Sequence, residues 1–547
     1  MNKYPLNKID YYNNFNDCLC GMAEKFGAEP AITTYTSNGE AIIRSYSLLA
    51  SDAEAFGNAL CRAGMQNKHI AIAAENCYEW LVAFYGVTSI GSVAVMVDIE
   101  QSVNTIKRMI DVTDSVAVVA SATIVELLGG DYPLPIITIG NEVRGEEWEF
   151  EKFCDNGRNV DEAENGFEHV EILGTDTAAI AFTSGTLSTA KAVMLSQRGL
   201  LQNAIEAVEM VDLGKKVYSS LPLYHTYGLT CCVLDSLIMG SNVCINGDMK
   251  TMMRDLKLFD PVTLMAVPLI AETLQKLLVS AIDKADIKVK PAKKKFGVFR
   301  KTRYEEPNPY KEYIEIKKQI LGGMSNIICG GAHLPGQVAR QFAQFGINVL
   351  QGYGITECSP LISVNRNNSN VFGSVGQILP GLEIKLVDSE VLVRGETVMK
   401  GYYKDEELTK TVLNDGWFST GDLGRIDKQG YLYIEGRKKN LIVLKNGKKI
   451  APEEIELHVR EIPIVNEVMA YGAVSGDSTD DVRLAIMVYP DEKATEGMSA
   501  YEILEELQKS IDKMNAEYPS YKQVKMINLR EKEFEKTSSK KIKRQIV

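Results

Sequence analysis

The chain has 547 residues, of which 45% are hydrophobic and 24% charged. It is long enough to bury a large core without disulfide or metal staples and too apolar to be disordered. Sixty Lys and Arg against 72 Asp and Glu leave a net charge of −12, which argues against a general nucleic-acid binder.

Apolar runs fall short of the roughly 18 residues a membrane span needs; the best stretch, Ser115–Leu128, is interrupted by Ser121 and Glu126. The opening residues MNKYPLNKIDYYNNF hold no apolar core that could serve as a secretory signal. Ten cysteines are scattered between Cys18 and Cys358 without paired metal-ligand spacing. They read as reduced, mostly buried thiols, and the expected location is the cytoplasm.

From about residue 30 to 380, short apolar runs alternate with amphipathic helical patterns. The runs include His69–Ala73, Ser92–Val97, Ala178–Phe182, Thr263–Val267, Asn326–Cys329 and Asn348–Gln351. Between them, Arg198–Val211 puts Leu201, Ala204, Ile205 and Val208 on one helical face, with Ser196 placed to cap it. The alternation predicts an α/β architecture built on two or more parallel sheets. From Gly373 to Glu435 the pattern changes to short strands between Gly and Asp turns, predicting a small β-rich subdomain. After Arg437–Lys439 a last segment predicts helices at Pro452–Arg460 and Ala500–Met514, with strands at Glu467–Val474 and Val482–Tyr489. The expected organisation is a large N-terminal domain, residues 1–437, with two α/β subdomains and the β-rich one. A small mobile α+β domain, residues 438–547, follows a very short linker that can act as a hinge near Lys439.

One segment departs from the acidic balance. Ala281–Arg303 holds nine Lys or Arg against two Asp, a local charge of +7. A solvated surface insertion accounts for it; a patch weakly drawn to anionic lipid or a polyanionic partner, with Phe296, Val298 and Phe299 as apolar contacts, is the sharper reading.

The most chemical stretch is Phe182-Thr-Ser-Gly-Thr-Leu-Ser-Thr-Ala-Lys191, which follows an apolar strand. Backbone N–H groups, hydroxyls and an ammonium on one tight loop suit a polyphosphate. The loop misses the Walker pattern, because Ala190 replaces its second glycine and no Ser or Thr follows Lys191. Further along come Leu221-Pro-Leu-Tyr-His225, Gly330-Gly-Ala332, Gln351-Gly-Tyr-Gly-Ile-Thr356-Glu357, Trp417-Phe-Ser-Thr-Gly-Asp422, Gly436-Arg437-Lys-Lys439 and Lys536-Thr-Ser-Ser-Lys-Lys541-Ile. Taken singly, each could be an ordinary turn, surface charge or structural histidine.

In this order the stretches resemble the adenylate-forming (AMP-binding) superfamily, and Gly436–Gly447 most resembles long-chain fatty acyl-CoA synthetases. The resemblance implies that a carboxylate attacks the α-phosphate of ATP, pyrophosphate leaves, and a thiol then displaces AMP. It implies Thr183, Ser184, Gly185, Thr186, Ser188, Thr189 and Lys191 as phosphate holders and Glu357 as the magnesium-binding residue, with Thr356 donating to a phosphate oxygen. Gly331, Ala332, Tyr353 and Gly354 then line the adenine side, while Asp422 and Arg437 take the ribose. His225 falls among the catalytic positions. Lys541 bridges carboxylate and α-phosphate during adenylation, and Lys540 stands where the family usually has glycine. Gly447 lines a pantetheine tunnel in the second pose, reached by rotation at Lys439; an Asn446-Gly447 hairpin turn is compatible with that role.

The implied activity is ATP- and Mg2+-dependent activation of a medium- or long-chain fatty acid and its transfer to coenzyme A. An acyl carrier protein as acceptor, or an aryl acid as substrate, are the alternatives within the family. The acyl pocket is expected beside Gly352–Gly354 and along Leu229, Cys232, Val233 and Leu237, apolar residues at helical spacing that suit a hydrocarbon tail and equally suit plain core. The phosphate loop departs from the family pattern at Leu187, Ser188, Ala190 and Ala192, so a non-catalytic acyl or nucleotide binder is the rival from another class.

Overall fold

The computed structural model describes residues 5–140, 148–158, 160, 165–183, 190–246, 248–287, 309–444, 448–474, 482–536 and 542–544. The chain is a mixed α/β protein with a large N-terminal and a small C-terminal domain. By contacts it divides into residues 1–383 with 393–418, and residues 384–392 with 419–547.

Among the described residues the larger unit holds two big sheets. The seven-stranded sheet runs in the order Gly401–Tyr402, Ala192–Ser196, Thr177–Phe182, Val93–Met96, His69–Ala73, Ser115–Ser121 and Ile136–Ile139. Its last five strands are parallel, and the first two add antiparallel at the edge. The nine-stranded sheet carries the parallel series Asn348–Gly354, Asn326–Cys329, Thr263–Ala266, Lys216–Ser219, Asn242–Ile245 and Pro30–Tyr35, with antiparallel strands at both edges. Parallel strands buried on both faces read as apolar runs rather than alternations, which is why the runs stood out in the sequence. Ser115–Leu128, the most apolar stretch, is a strand followed directly by the helix Ala122–Leu128.

The helix Gln197–Met210 begins where the sequence places it, with the Ser196 hydroxyl accepting from the Gly199 N–H. The stretch after His225 differs from expectation. Leu229–Leu234 winds as a π-helix before Asp235–Ile238 returns to α, and the whole stretch is buried. Leu229, Cys232, Val233 and Leu237 therefore do not stand apart as one apolar face, since a helix buried all round has no solvent side to contrast with it. The Gly373–Glu435 region holds the β-rich part the sequence predicts, a five-stranded sheet of Glu383–Val387, Glu390–Arg394, Trp417–Ile426, Leu413–Asn414 and Leu432–Arg437, while its strand Gln377–Ile378 edges the nine-stranded sheet and Gly401–Tyr402 the seven-stranded one.

In the smaller unit Val465–Val474 pairs antiparallel with Val482–Pro490, which pairs parallel with Met526–Leu529. Ile455, Val468, Leu484, Ile486, Leu507 and Ile511 form its own core with the helices Pro452–Val459 and Ala500–Asn515. Ser499 and Glu502 close the start of the latter helix as a reciprocal capping box.

Candidate active site

Phe182 pairs with Ala192 across the antiparallel hairpin that flanks the Ser/Thr-rich loop. At its base the Thr183 N–H donates to the Lys191 carbonyl at 3.1 Å, and the Lys191 N–H donates to the Thr183 hydroxyl at 3.2 Å. The Lys191 backbone is thus held against Thr183. Ser184, Gly185, Thr186, Ser188 and Thr189 lie outside the described residues, as do Gly447, Lys541 and most of Ala281–Arg303.

Thr356 and Glu357 sit in a single 3-10 turn, Thr356–Cys358, directly after the strand that ends at Gly354. That strand carries half-buried Tyr353. Gly354 has a specific reason to be glycine: a Cβ there would lie 2.2 Å from the Pro360 carbonyl oxygen, a backbone contact that cannot yield cheaply. The Glu357 carbonyl accepts from the Met399 N–H at 2.8 Å, so the turn is tied to the segment leading into Gly401–Tyr402.

That segment supplies a residue the sequence reading missed. The Lys191 ammonium donates to the Tyr402 hydroxyl at 3.3 Å, and that hydroxyl donates to Glu357 Oε1 at 3.0 Å. The ammonium also lies 4.8 Å from the centre of the Tyr402 ring, a cation–π distance. Burial, reinforced by the neighbouring Glu357 carboxylate, pushes the Tyr402 phenol well above its ordinary range, so it stays protonated and able to donate. A loop lysine, a phenol and a carboxylate form one chain of contacts, with Lys191 and Tyr402 separated by 211 positions in sequence. Such a set offers a cation for phosphate oxygens and a hard oxygen ligand for a cation.

Gly331 and Ala332 follow the strand Asn326–Cys329 and are exposed, with Gly331 at φ +83°. Against Gly330, the Tyr227 hydroxyl donates to the carbonyls of Ala266 and Ile328, both at 3.1 Å, tying two parallel strands together at the carboxyl end of the sheet. His225 precedes the turn Thr226–Gly228, its ring 4.8 Å from that of Tyr224 in an edge-on arrangement. The structure therefore places Thr183, Lys191, Thr356 and Glu357 in one linked cluster. It places His225, Gly331, Ala332 and Tyr353 on strand ends and turns of the same unit.

In the other unit Asp422 and Arg437 face each other on adjacent antiparallel strands. Arg437 Nε donates to Asp422 Oδ1 at 2.8 Å; the Asp422 side chain is 3% exposed and that of Arg437 40%. The Asp422 N–H donates to the Thr420 hydroxyl at 3.0 Å, fixing the backbone beneath the carboxylate. A buried carboxylate held by a partly exposed guanidinium is a good acceptor for paired hydroxyls.

The described residues include no helix long and apolar enough to cross a membrane. Residues 22–403 match the family model described as AMP-binding enzyme, and residues 439–547 match the one described as AMP-binding enzyme C-terminal domain. The chain is 26% identical over 571 aligned positions to the long-chain-fatty-acid–[acyl-carrier-protein] ligase AEE15 of Arabidopsis thaliana, covering 87% of this chain and 76% of that one. It is 25% identical over 452 positions to the long-chain-fatty-acid–CoA ligase FadD15 of Mycobacterium bovis, covering 77% and 73%. Among solved structures, ATP-bound MatB from Rhodopseudomonas palustris has a TM-score of 0.76 at 23% identity and covers 97% of both chains.

Proposed function

The chain belongs to the AMP-binding enzyme family and is an AMP-forming acid–thiol ligase, and from that premise we propose that it activates a medium- or long-chain fatty acid and passes the acyl group to coenzyme A. The observation that carries the nucleotide site is the linked cluster of Lys191, Tyr402 and Glu357. Lys191 holds the departing phosphates together with the loop hydroxyls of Thr183, Ser184, Thr186, Ser188 and Thr189. Thr356 donates to a phosphate oxygen. Glu357 is the protein ligand for magnesium; one half-buried carboxylate fits a cation that keeps waters and phosphate oxygens as its other ligands. Bound there, magnesium offsets phosphate charge.

Tyr353, with Gly331 and Ala332, takes the adenine, and Asp422 with Arg437 takes the ribose hydroxyls. The acid's carboxylate oxygen attacks the α-phosphorus, the bond to the β-phosphate oxygen breaks, and pyrophosphate leaves. Lys541 lies between the two anions in that step, where an ammonium offsets their repulsion as charge develops. In the second step the thiol sulfur attacks the acyl carbon, the thiol proton passes to solvent, and AMP leaves with the electron pair. Rotation at Lys439 exchanges Lys541 for the segment around Gly447 between the two steps. Support for a fatty acid comes from the two curated relatives, both named for long-chain fatty acids.

One of those relatives is named for a carrier-protein acceptor, which favours a second reading in which the thiol is the phosphopantetheine arm of an acyl carrier protein. The experiment is product analysis by mass spectrometry with ATP, magnesium and decanoate or palmitate, offering coenzyme A and a phosphopantetheinylated carrier protein in separate reactions. Acyl-CoA is the expected product; acyl transfer only to the carrier protein would replace coenzyme A in the proposal. Products with benzoate or anthranilate but not with the fatty acids would overturn the substrate class.

A further inference from the structure

We propose that Tyr402 is a positioning residue of the nucleotide site: its phenol stands between Lys191 and Glu357 and keeps them from closing into an ion pair, so that both charges remain available to phosphate and magnesium. This rests on the nucleotide-site reading above and adds to it a residue that none of the sequence motifs contains.

The geometry is that of a spacer. The Tyr402 hydroxyl accepts from Lys191 at 3.3 Å and donates to Glu357 at 3.0 Å, so each charged group touches the phenol. The phenol takes one of the three donors of the ammonium and one of about four acceptor positions of the carboxylate. Among the described residues neither charged group has a further hydrogen-bond partner. Opposite charges that both touch one phenol oxygen attract each other in a partly buried setting, and a direct pair would occupy each group with the other. The ring face adds a second hold on the ammonium at 4.8 Å.

The backbone makes this placement rigid. Tyr402 pairs with Val193 and the Tyr403 N–H donates to the Ala192 carbonyl at 2.8 Å, both within two residues of Lys191. Three residues earlier the Met399 N–H donates to the Glu357 carbonyl at 2.8 Å. The Tyr402 N–H is fixed in turn by the Thr409 hydroxyl at 2.9 Å. A single five-residue segment, 399–403, therefore tethers the backbones that carry the lysine and the glutamate and inserts the phenol between their side chains. Tyr402 is 3% exposed, so water cannot easily stand in for its hydroxyl.

The test is Tyr402→Phe, which keeps the ring and removes the hydroxyl. The expected result is a rise of about tenfold in the KM for MgATP and in the magnesium concentration giving half-maximal rate, with kcat within about threefold. Calorimetric ATP binding without acid should weaken by the same factor. Repeating the substitution in a Glu357→Gln background separates spacing from mere support, because with no carboxylate to pair, loss of the hydroxyl should have little further effect on ATP affinity. Equal losses in both backgrounds, or an unchanged MgATP KM in the single variant, would overturn the proposal. Lys191→Ala is the separate control: if it too bound ATP normally, the nucleotide-site reading itself would fall, whereas impaired Lys191→Ala beside normal Tyr402→Phe would sink only the spacer.

Discussion

Replacing Asp422 by Asn tests the ribose assignment with little cost to the fold. The Asn amide oxygen can still accept from Arg437 Nε, which lies 2.8 Å from Asp422 Oδ1, but the negative charge is gone. Hydrogen bonds to a charged group contribute about 1.5–3 kcal/mol against about 0.5–1.5 kcal/mol for neutral ones. Two ribose hydroxyls thus lose roughly 2 kcal/mol together, which at about 1.4 kcal/mol per decade corresponds to a rise of about 30-fold in the KM for ATP. Because ribose contacts persist from the bound state into the transition state, kcat should change little.

Arg437→Ala is the informative contrast. It leaves a carboxylate only 3% exposed without its guanidinium, and the 40% exposure of Arg437 means that water partly replaces the pair. The cost of removing one partner of a buried pair, about 3–5 kcal/mol, is therefore discounted to about 1–3 kcal/mol. Thermal unfolding should rank Arg437→Ala below Asp422→Asn, while ATP KM ranks Asp422→Asn as the larger defect. Initial pyrophosphate release across ATP concentrations, at saturating acid and magnesium, gives the KM. An unchanged KM in a folded Asp422→Asn protein would refute the ribose role.

Lys541→Ala should lose most acyl-adenylate formation while sparing transfer from preformed adenylate, and Lys439→Pro should do the reverse; single-turnover assays of each half-reaction would contradict the two-pose account if both fell together in either variant. Asp235, buried beside Cys231 and Cys232 and bonded by the Ser236 hydroxyl at 3.2 Å, has its carboxyl pushed well above the ordinary range, chiefly by burial. The folded state then binds a proton that the unfolded state gives up above about pH 4, so this group's contribution to stability falls as pH rises, by at most about 1.4 kcal/mol per unit. Asp235→Asn should therefore gain stability relative to the parent between pH 5 and pH 8 in urea unfolding; a difference independent of pH would contradict the raised carboxyl.

The parts of the fold that were legible in the sequence are those whose signal is local. His69–Ala73, Asn326–Cys329 and the Ser196-capped helix are found essentially where apolar runs and capping chemistry place them, because burial on both faces and an N-cap each leave a mark within a few residues. The π-helix at Leu229–Leu234 left none, since an apolar stretch reads the same at either pitch. The order of the chemical stretches exposed Lys191 and Glu357, yet Tyr402 escaped. Its role depends on an edge strand of two residues that crosses to Val193, and a lone tyrosine among strand residues does not announce what lies across the sheet. Tyr227 escaped for a related reason, since its partners are the carbonyls of Ala266 and Ile328 on two distant strands.

The proposed reaction begins with carboxylate-dependent cleavage of ATP at the α-phosphate. Pyrophosphate release by the purified protein with ATP and magnesium measures it directly, with a panel running from acetate through decanoate to palmitate and with benzoate, cinnamate and amino acids as contrasts. Release is expected with the medium- or long-chain acids, with AMP as the accompanying product and no release with amino acids. A folded protein that binds ATP yet releases no pyrophosphate with any acid of the panel, even after Ser188→Gly and Ala190→Pro, would contradict that reaction.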